Sequence, residues 1–229
     1  MPDPVAPGVP VLADTVLADT VLADTVLADT VLAGTVLAGT VLADAVLAKT
    51  VLATVVDTPI GPLSLLAWDG RLIAGGFTAD PAVMHARLNP PLRGLPVEIA
   101  GPEETTVPPE TTDPGDLSWL IKPVASYFAG DLRALDAIPV YQPGTPSRQS
   151  LWAALRAVPP GATVSYTQLA AQAGNPRAPR AAGAACAYNL IAPVVPCHRA
   201  LRSDGSLGGY YYGLDRKMWL LRHEGARPG

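Results

Sequence analysis

The hydrophobic positions of residues 11–50 recur every five residues. Eight copies begin as Val11-Leu12-Ala13-Asp14-Thr15 and end as Val46-Leu47-Ala48-Lys49-Thr50, and a partial ninth, Val51-Leu52-Ala53-Thr54, follows. A period of five turns each copy by about 140° along a helix and moves it to the opposite face of a strand, so neither element gains an apolar side. Segment 1–54 therefore reads as a low-complexity repeat, disordered or loosely helical, with no catalytic role. Self-association through its Val-Leu-Ala runs is the second reading.

From Val55 the pattern becomes that of a folded chain. Leu63–Trp68 and Arg71–Ala74 are apolar runs joined by Asp69-Gly70, which predicts a β-hairpin. Residues 101–115 are rich in Pro, Thr and Glu and read as a loop. Leu117 to Phe128 carries helical apolar spacing and stops at Gly130. Leu132 to Val140 reads as a strand. Residues 55–142 are thus expected to form a small α+β domain containing a sheet.

Residues 143–229 read differently. Gln149 to Val158 predicts a helix ended by Pro159-Pro160-Gly161. Ser165 and Gln168 form a capping box that opens a short helix closing at Gly174. After the turn Asn175-Pro176-Arg177, Pro179 suits the first turn of another helix, where its missing N–H costs nothing, and that helix runs to about Ala187. Two short helices across a tight turn make a helix-turn-helix pattern.

Composition narrows the chemistry. Two cysteines in 229 residues exclude a disulfide scaffold and a cysteine-built zinc site, and the three histidines (His85, His198, His223) are scattered. No metal or other cofactor is expected. The start, Met1-Pro2-Asp3-Pro4, lacks the basic region and apolar core of a signal peptide, and no stretch reads as a spanning helix. A cytoplasmic protein without a membrane partner is expected, and a reducing compartment suits a free thiol. The overall charge of −4 hides an asymmetry: residues 1–149 carry −10 and residues 150–229 carry +6. A basic back half points to a polyanion.

Of the two thiols, Cys186 lies in an alanine-rich run and reads as a small core residue. Cys197 stands in Pro196-Cys197-His198-Arg199, where basic neighbours are able to favour a reactive thiolate. On an alternating strand Cys197 and His198 would face opposite ways, so a turn or a water is needed to link them.

These residues resemble a known family. The stretch Ser165 through Glu224 is similar to the 6-O-alkylguanine-DNA alkyltransferases, also called methylated-DNA–protein-cysteine methyltransferases. The resemblance rests on Val164–Ala170, Gly174–Arg177, Arg180-Ala181, Asn189, Pro196–Arg199, Ser203–Tyr210 and Lys217–Gly225. Gly144-Thr145-Pro146, Trp152 and Ile60-Gly61-Pro62-Leu63 extend it. It is strong over 145–225, weaker over 55–144 and absent over 1–54.

The resemblance implies an α+β protein: a small RNase H-like sheet domain, then a helical domain that binds DNA by a helix-turn-helix and carries the active site. It implies single-turnover, irreversible transfer of a methyl or alkyl group to Cys197 from the 6-oxygen of guanine, with the 4-oxygen of thymine as a second target. His198 resembles the base acting through a water, Glu224 its orienting carboxylate, Asn189 the hinge residue, and Tyr166 the hydroxyl that donates toward the leaving base. Arg180 resembles the finger entering the base stack, with Ala181, Asn175, Arg199 and Tyr166 on the DNA side. Cys186, Ala200, Leu207, Gly208, Tyr210 and Tyr211 are implied in the substrate pocket. Double-stranded DNA containing alkylated guanine is the implied partner of a monomer.

The chain departs from the family at Ser147-Arg148 (usually Phe-Gln), Leu190 (often proline), Ala200 (usually valine) and Tyr211-Tyr212. Two other readings compete: a DNA-binding sensor of alkylated bases without transfer, against which Cys197 argues, and an unrelated thiol hydrolase, which leaves the helix pair and the basic half unexplained.

Overall fold

The computed structural model of the protein describes residues 49–100 and 116–227. The repeat up to Ala48 and the loop expected over 101–115 lie outside the described residues. Strands β1 (Val51–Val56), β2 (Leu63–Trp68), β3 (Arg71–Gly76) and β4 (Val97–Ile99) make one sheet in the order β3-β2-β1-β4. β1 and β2 pair antiparallel, β2 and β3 pair antiparallel, and β4 runs parallel to β1. The hairpin stands on Asp69-Gly70 as expected, both with positive φ (51° and 65°), the backbone a two-residue turn with matching twist requires.

β1 corrects the boundary read from the repeat. Residues 51–54 form the first part of an interior strand, with Val51 and Ala53 fully buried. A Val-Leu-Ala-Thr unit becomes a strand once neighbouring strands pair with it on both sides. The strand expected over 132–140 is also corrected. Ala134–Ala137 is a 3₁₀ turn, and Val140 alone pairs, in a bridge to Leu72. Leu135 and Ile138, three apart, turn their side chains into the core together.

Both faces of the sheet are covered over β2, β3 and the start of β1, while β4 at the edge is exposed. On one, Val51, Leu66, Ile73 and Met84 pack together beneath the short helix α1 (Pro81–His85). On the other, Leu63, Leu65 and Leu72 join α2 (Ser118–Phe128) through Leu120 and Val124, and α3 (Pro146–Ala157) through Leu151 and Leu155. Thr145 caps α3 and Pro146 occupies its first turn, so the helix starts three residues before the expected Gln149.

The same core continues into the helix pair. After β5 (Val164–Ser165), α4 (Tyr166–Gln172) opens on the Ser165–Gln168 capping box, and α5 (Pro179–Ala187) begins at Pro179, both as read from sequence. β6 (Ala200–Leu201) pairs parallel with β5, and α6 (Leu214–His223) closes the chain. The outer edge of β3 holds the segment after α5: Gly75 N–H donates to Leu190 O at 2.7 Å and Ala192 N–H donates to Gly75 O at 3.0 Å. A Cβ at Gly75 would lie 2.9 Å from Ala192 O, so glycine permits this approach. Among the described residues no helix is long and apolar enough to cross a membrane.

Candidate active site

Cys197 begins a 3₁₀ turn, Cys197–Arg199, entered through Pro196 at φ −82°, ψ 63°. Those angles close an inverse γ-turn in which Cys197 N–H donates to Val195 O at 2.8 Å. The turn replaces the alternating strand considered from sequence and sends Cys197, His198 and Arg199 in three directions. All three are buried.

Asn189, two residues past α5, holds the sulfur. Its Oδ1 accepts from Ile191 N–H at 3.0 Å, which fixes the amide orientation. Its Nδ2 then donates to Val195 O at 2.8 Å and to Cys197 Sγ at 3.2 Å. The expected hinge residue is thus a direct partner of the thiol.

His198 Nε2 lies 2.9 Å from Glu224 Oε1. Arg199 donates to the same carboxylate from Nε (2.9 Å) and Nη2 (2.8 Å), and from Nη1 to Val158 O. Tyr127 O–H, from α2, donates to Glu224 Oε1 at 2.8 Å. Burial alone would raise the Glu224 pKa, but the hydrogen bonds and charges of its partners hold it well below the usual carboxylate range. Burial pushes the His198 pKa down, with Glu224 pulling it back only in part, so the ring is neutral at pH 7. With Glu224 ionised, Nε2 carries the ring proton and donates. Nδ1 keeps a lone pair, is buried and has no partner.

Arg199 corrects the expectation that it contacts DNA. It is 4 % exposed and its guanidinium is spent on Glu224 and Val158 O. An arginine next to a buried carboxylate lowers its energy far more there than at a screened surface.

Cys197 is 7 % exposed, and burial pushes its pKa up, with the Asn189 hydrogen bond and the Lys217 charge opposing. The resting sulfur is a thiol. Lys217, fully buried in α6, donates from Nζ to Ala200 O at 2.6 Å and to Leu207 O. Burial brings its pKa down to about 8, against the pull of the two cysteines. Lys217 and Tyr127 were not singled out from sequence. For Lys217 a signal existed: it shares a helical face with Leu220, Leu221 and Glu224 at spacings of three, four and seven. Tyr127 had none.

Beside the thiol is a cavity of about 260 Å³ lined by Tyr166, Cys186, Asn189, Cys197, Tyr210 and Tyr211, among others. Tyr166 opens α4, and burial raises its hydroxyl pKa. Gly208, at φ +64°, passes close to that hydroxyl: a Cβ there would lie 2.9 Å from Tyr166 Oη. The Tyr210 hydroxyl is buried without a partner. Ala200, Leu207 and Gly208, expected in the pocket, do not line it, though Gly208 passes close to Tyr166 and its neighbour Gly209 does line it. Ala200 is fully buried in the main core and Leu207 packs toward Leu201 and Leu221; their carbonyls hold Lys217 instead. Arg180 and Asn175 are exposed near the start of α5 and in the preceding turn, with Ala181 half-buried beside them.

A family model described as the DNA-binding domain of 6-O-methylguanine DNA methyltransferase matches residues 146–226. The methylated-DNA–protein-cysteine methyltransferase of Mycobacterium tuberculosis is 38% identical over 175 residues, covering 75% of this chain and 91% of that protein. The chain belongs to the methylated-DNA–protein-cysteine methyltransferase family. The family protein of Salmonella typhimurium is 51% identical over 114 residues, which cover 50% of this chain and 65% of that relative. A crystal structure of Mycobacterium tuberculosis OGT in complex with DNA matches with a TM-score of 0.58 at 31% identity, over 76% of this chain and 92% of that one. Within the family's fold, Asn189 holds the Cys197 sulfur, and His198 and Arg199, the next two residues of the same turn, meet Glu224.

Proposed function

We propose that this protein repairs DNA by moving a methyl or alkyl group from the 6-oxygen of guanine in a DNA duplex to Cys197, once per molecule and irreversibly. The observation that carries the reading is the buried Cys197 thiol, held by Asn189 at the floor of a tyrosine-walled cavity next to α5. A sulfur buried this deeply is out of reach of a base stacked in a duplex, so the base must leave the stack and enter the cavity, at a cost of a few kcal/mol. Arg180, exposed on α5, fills the vacated place in the stack, and phosphate contacts near Asn175 and Ala181 offset the cost.

In the reaction the Cys197 sulfur attacks the alkyl carbon. A C–S bond forms as the C–O bond breaks, and the bonding pair leaves with guanine oxygen. The thiol proton passes through a water to His198 Nδ1, the free lone pair of the neutral ring. Glu224 steadies the imidazolium that forms, in the nucleophile–base–orienter arrangement. Tyr166 donates its hydroxyl proton to the departing base and is reprotonated through water by the His198 imidazolium, so the thiol proton ends on guanine and His198 returns to neutral. Lys217 stabilises the developing thiolate charge. The thioether product is stable, and nothing in the site returns the thiol.

We further assign this chemistry to residues 143–229, packed on a sheet unit that starts at Val51, and read the β3-β2-β1-β4 sheet as RNase H-like. The protein acts as a monomer. The test is the intact mass of the protein after incubation with a duplex containing 6-O-methylguanine. The expected result is a gain of one methyl group on Cys197, lost in Cys197→Ser. Lesion binding with no gain in mass would replace this reading with that of a sensor.

A further inference from the structure

A second cavity, about 370 Å³, lies on the other side of Tyr211 from the active-site pocket, and the two share Ala187 and Tyr211. Its polar lining includes three side chains rich in donors, Arg87, Gln142 and Arg148, beside Asn89 and two tyrosines. Gln142 Oε1 accepts from Leu190 N–H at 3.2 Å, which turns Nε2 the other way, and that buried Nε2 has no partner. Arg87 Nη1 is likewise buried without a partner. The Arg87 guanidinium stacks 3.9 Å over the Tyr211 ring and hydrogen-bonds Tyr212, whose hydroxyl pKa burial pushes up to about 12 with Arg87 opposing. The Arg148 guanidinium stacks 4.0 Å over Tyr188.

No Asp or Glu lines the cavity, and among the described residues neither arginine has a carboxylate within salt-bridge distance. Buried donors without acceptors are costly, and an acceptor-rich ligand in the cavity would satisfy Gln142 Nε2 and Arg87 Nη1. Arg148 adds an independent indication. It is the third residue of α3, where the helix dipole disfavours a cation and favours an anion. A negatively charged ligand in the cavity would offset that placement and add to the contact Arg148 makes with Tyr188.

We propose that this cavity is an anion site that takes a phosphate group, held by Arg87, Gln142 and Arg148 between the rings of Tyr188 and Tyr211. Planar guanidinium groups and an amide N–H₂ match the several acceptor oxygens of a phosphate. Two sources carry that chemistry: a backbone phosphate of DNA, and a free phosphate or phosphorylated small molecule. Only the first depends on the DNA-repair reading. α5 joins the two features, with Arg180 near its start and Ala187 at its end in the cavity wall.

The test uses the full chain labelled with ¹⁵N and follows the Gln142 side-chain amide and the Arg148 Nε–H signals. Inorganic phosphate is titrated at constant ionic strength, with chloride as the balancing salt. The expected result is a saturable shift of both signals in the wild type, with the Gln142 titration weakened about tenfold in Arg148→Gln by loss of a charge-assisted hydrogen bond. No shift, a shift that chloride reproduces, or one unchanged in Arg148→Gln overturns the proposal. An undamaged duplex is then added to the phosphate-bound protein. Displacement of phosphate identifies the DNA backbone as the ligand, and retention identifies a free phosphate; either supports the site. Because no alkyl transfer is read, failure here leaves the mass test of the repair reading untouched.

Discussion

Arg199 and Glu224 form a two-pronged ion pair: Nε and Nη2 of the arginine meet Oε2 and Oε1 of the carboxylate at 2.9 and 2.8 Å. Both side chains are buried, and the pair fixes the carboxylate that orients His198. Arg199→Leu leaves Glu224 charged and uncompensated, so it is expected to destabilise the fold by about 3–5 kcal/mol. Thermal melting checks this, with a fall in Tm on the order of 10 °C. The salt dependence of DNA binding should stay unchanged, because no phosphate contact is lost.

The same pair sets the acid limit of stability. Glu224 has a folded pKa below its unfolded value, so its contribution is complete above the ordinary Glu pKa of about 4.3 and is lost as pH falls toward the folded value. Denaturant melts between pH 3 and 7 should show this loss in the wild type and a flatter acid limb in Glu224→Gln.

Lys217 is the nearest buried cation acting on Cys197, and its pKa of about 8 means that the charge fades above pH 8. Lys217→Met is expected to move the pH profile of Cys197 alkylation by iodoacetamide to higher pH. It should also remove an inflection near pH 8. An unshifted profile would show that Lys217 serves only to tie Ala200 and Leu207 together.

Tyr166→Phe removes the donor to the leaving base and keeps the ring. Single-turnover transfer from a methylated duplex should slow about 100-fold or more, with binding of undamaged duplex unaffected.

Arg180→Ala should slow transfer from duplex far more than transfer from a free benzylated guanine base, which needs no unstacking. Equal losses on the two substrates would refute the finger role.

Truncation separates the repeat from the fold. Deleting residues 1–48 should leave transfer intact. Deleting 1–54 removes four of the six residues of β1, an interior strand between β2 and β4, and should lower Tm and soluble yield sharply. Circular dichroism melts of the two truncations decide it.

Local features were legible in the sequence because local chemistry makes them. The Ser165–Gln168 box, Pro179 at a helix start and Asp69-Gly70 each determine their own turn. Cys197 and His198 stood out in the sequence and Asn189 and Glu224 through the family resemblance, and the geometry pairs Asn189 with Cys197 and His198 with Glu224. What escaped depends on distant packing. Tyr127 meets Glu224 across 97 residues of chain, and no pattern around Tyr127 announces it. Arg199 sits in a basic cluster that suggests a surface, yet the adjacent turn points it inward at a carboxylate. Ala200 and Leu207 lie within three residues of Cys197 and Gly209, which line the pocket, but offer Lys217 their carbonyls.

The bridge between Gly75 and the Leu190–Ala192 segment bears on how portable the reaction is. A fragment starting at Pro146 would contain every residue that lines the cavity beside the thiol. It would lose the Gly75 amide and carbonyl that flank the Asn189 loop, and the Tyr127 hydroxyl that shares Glu224. The catalytic half is therefore not a cassette to be moved alone: its inner wall is borrowed from the sheet, and transplanting it into another protein requires that edge to travel too.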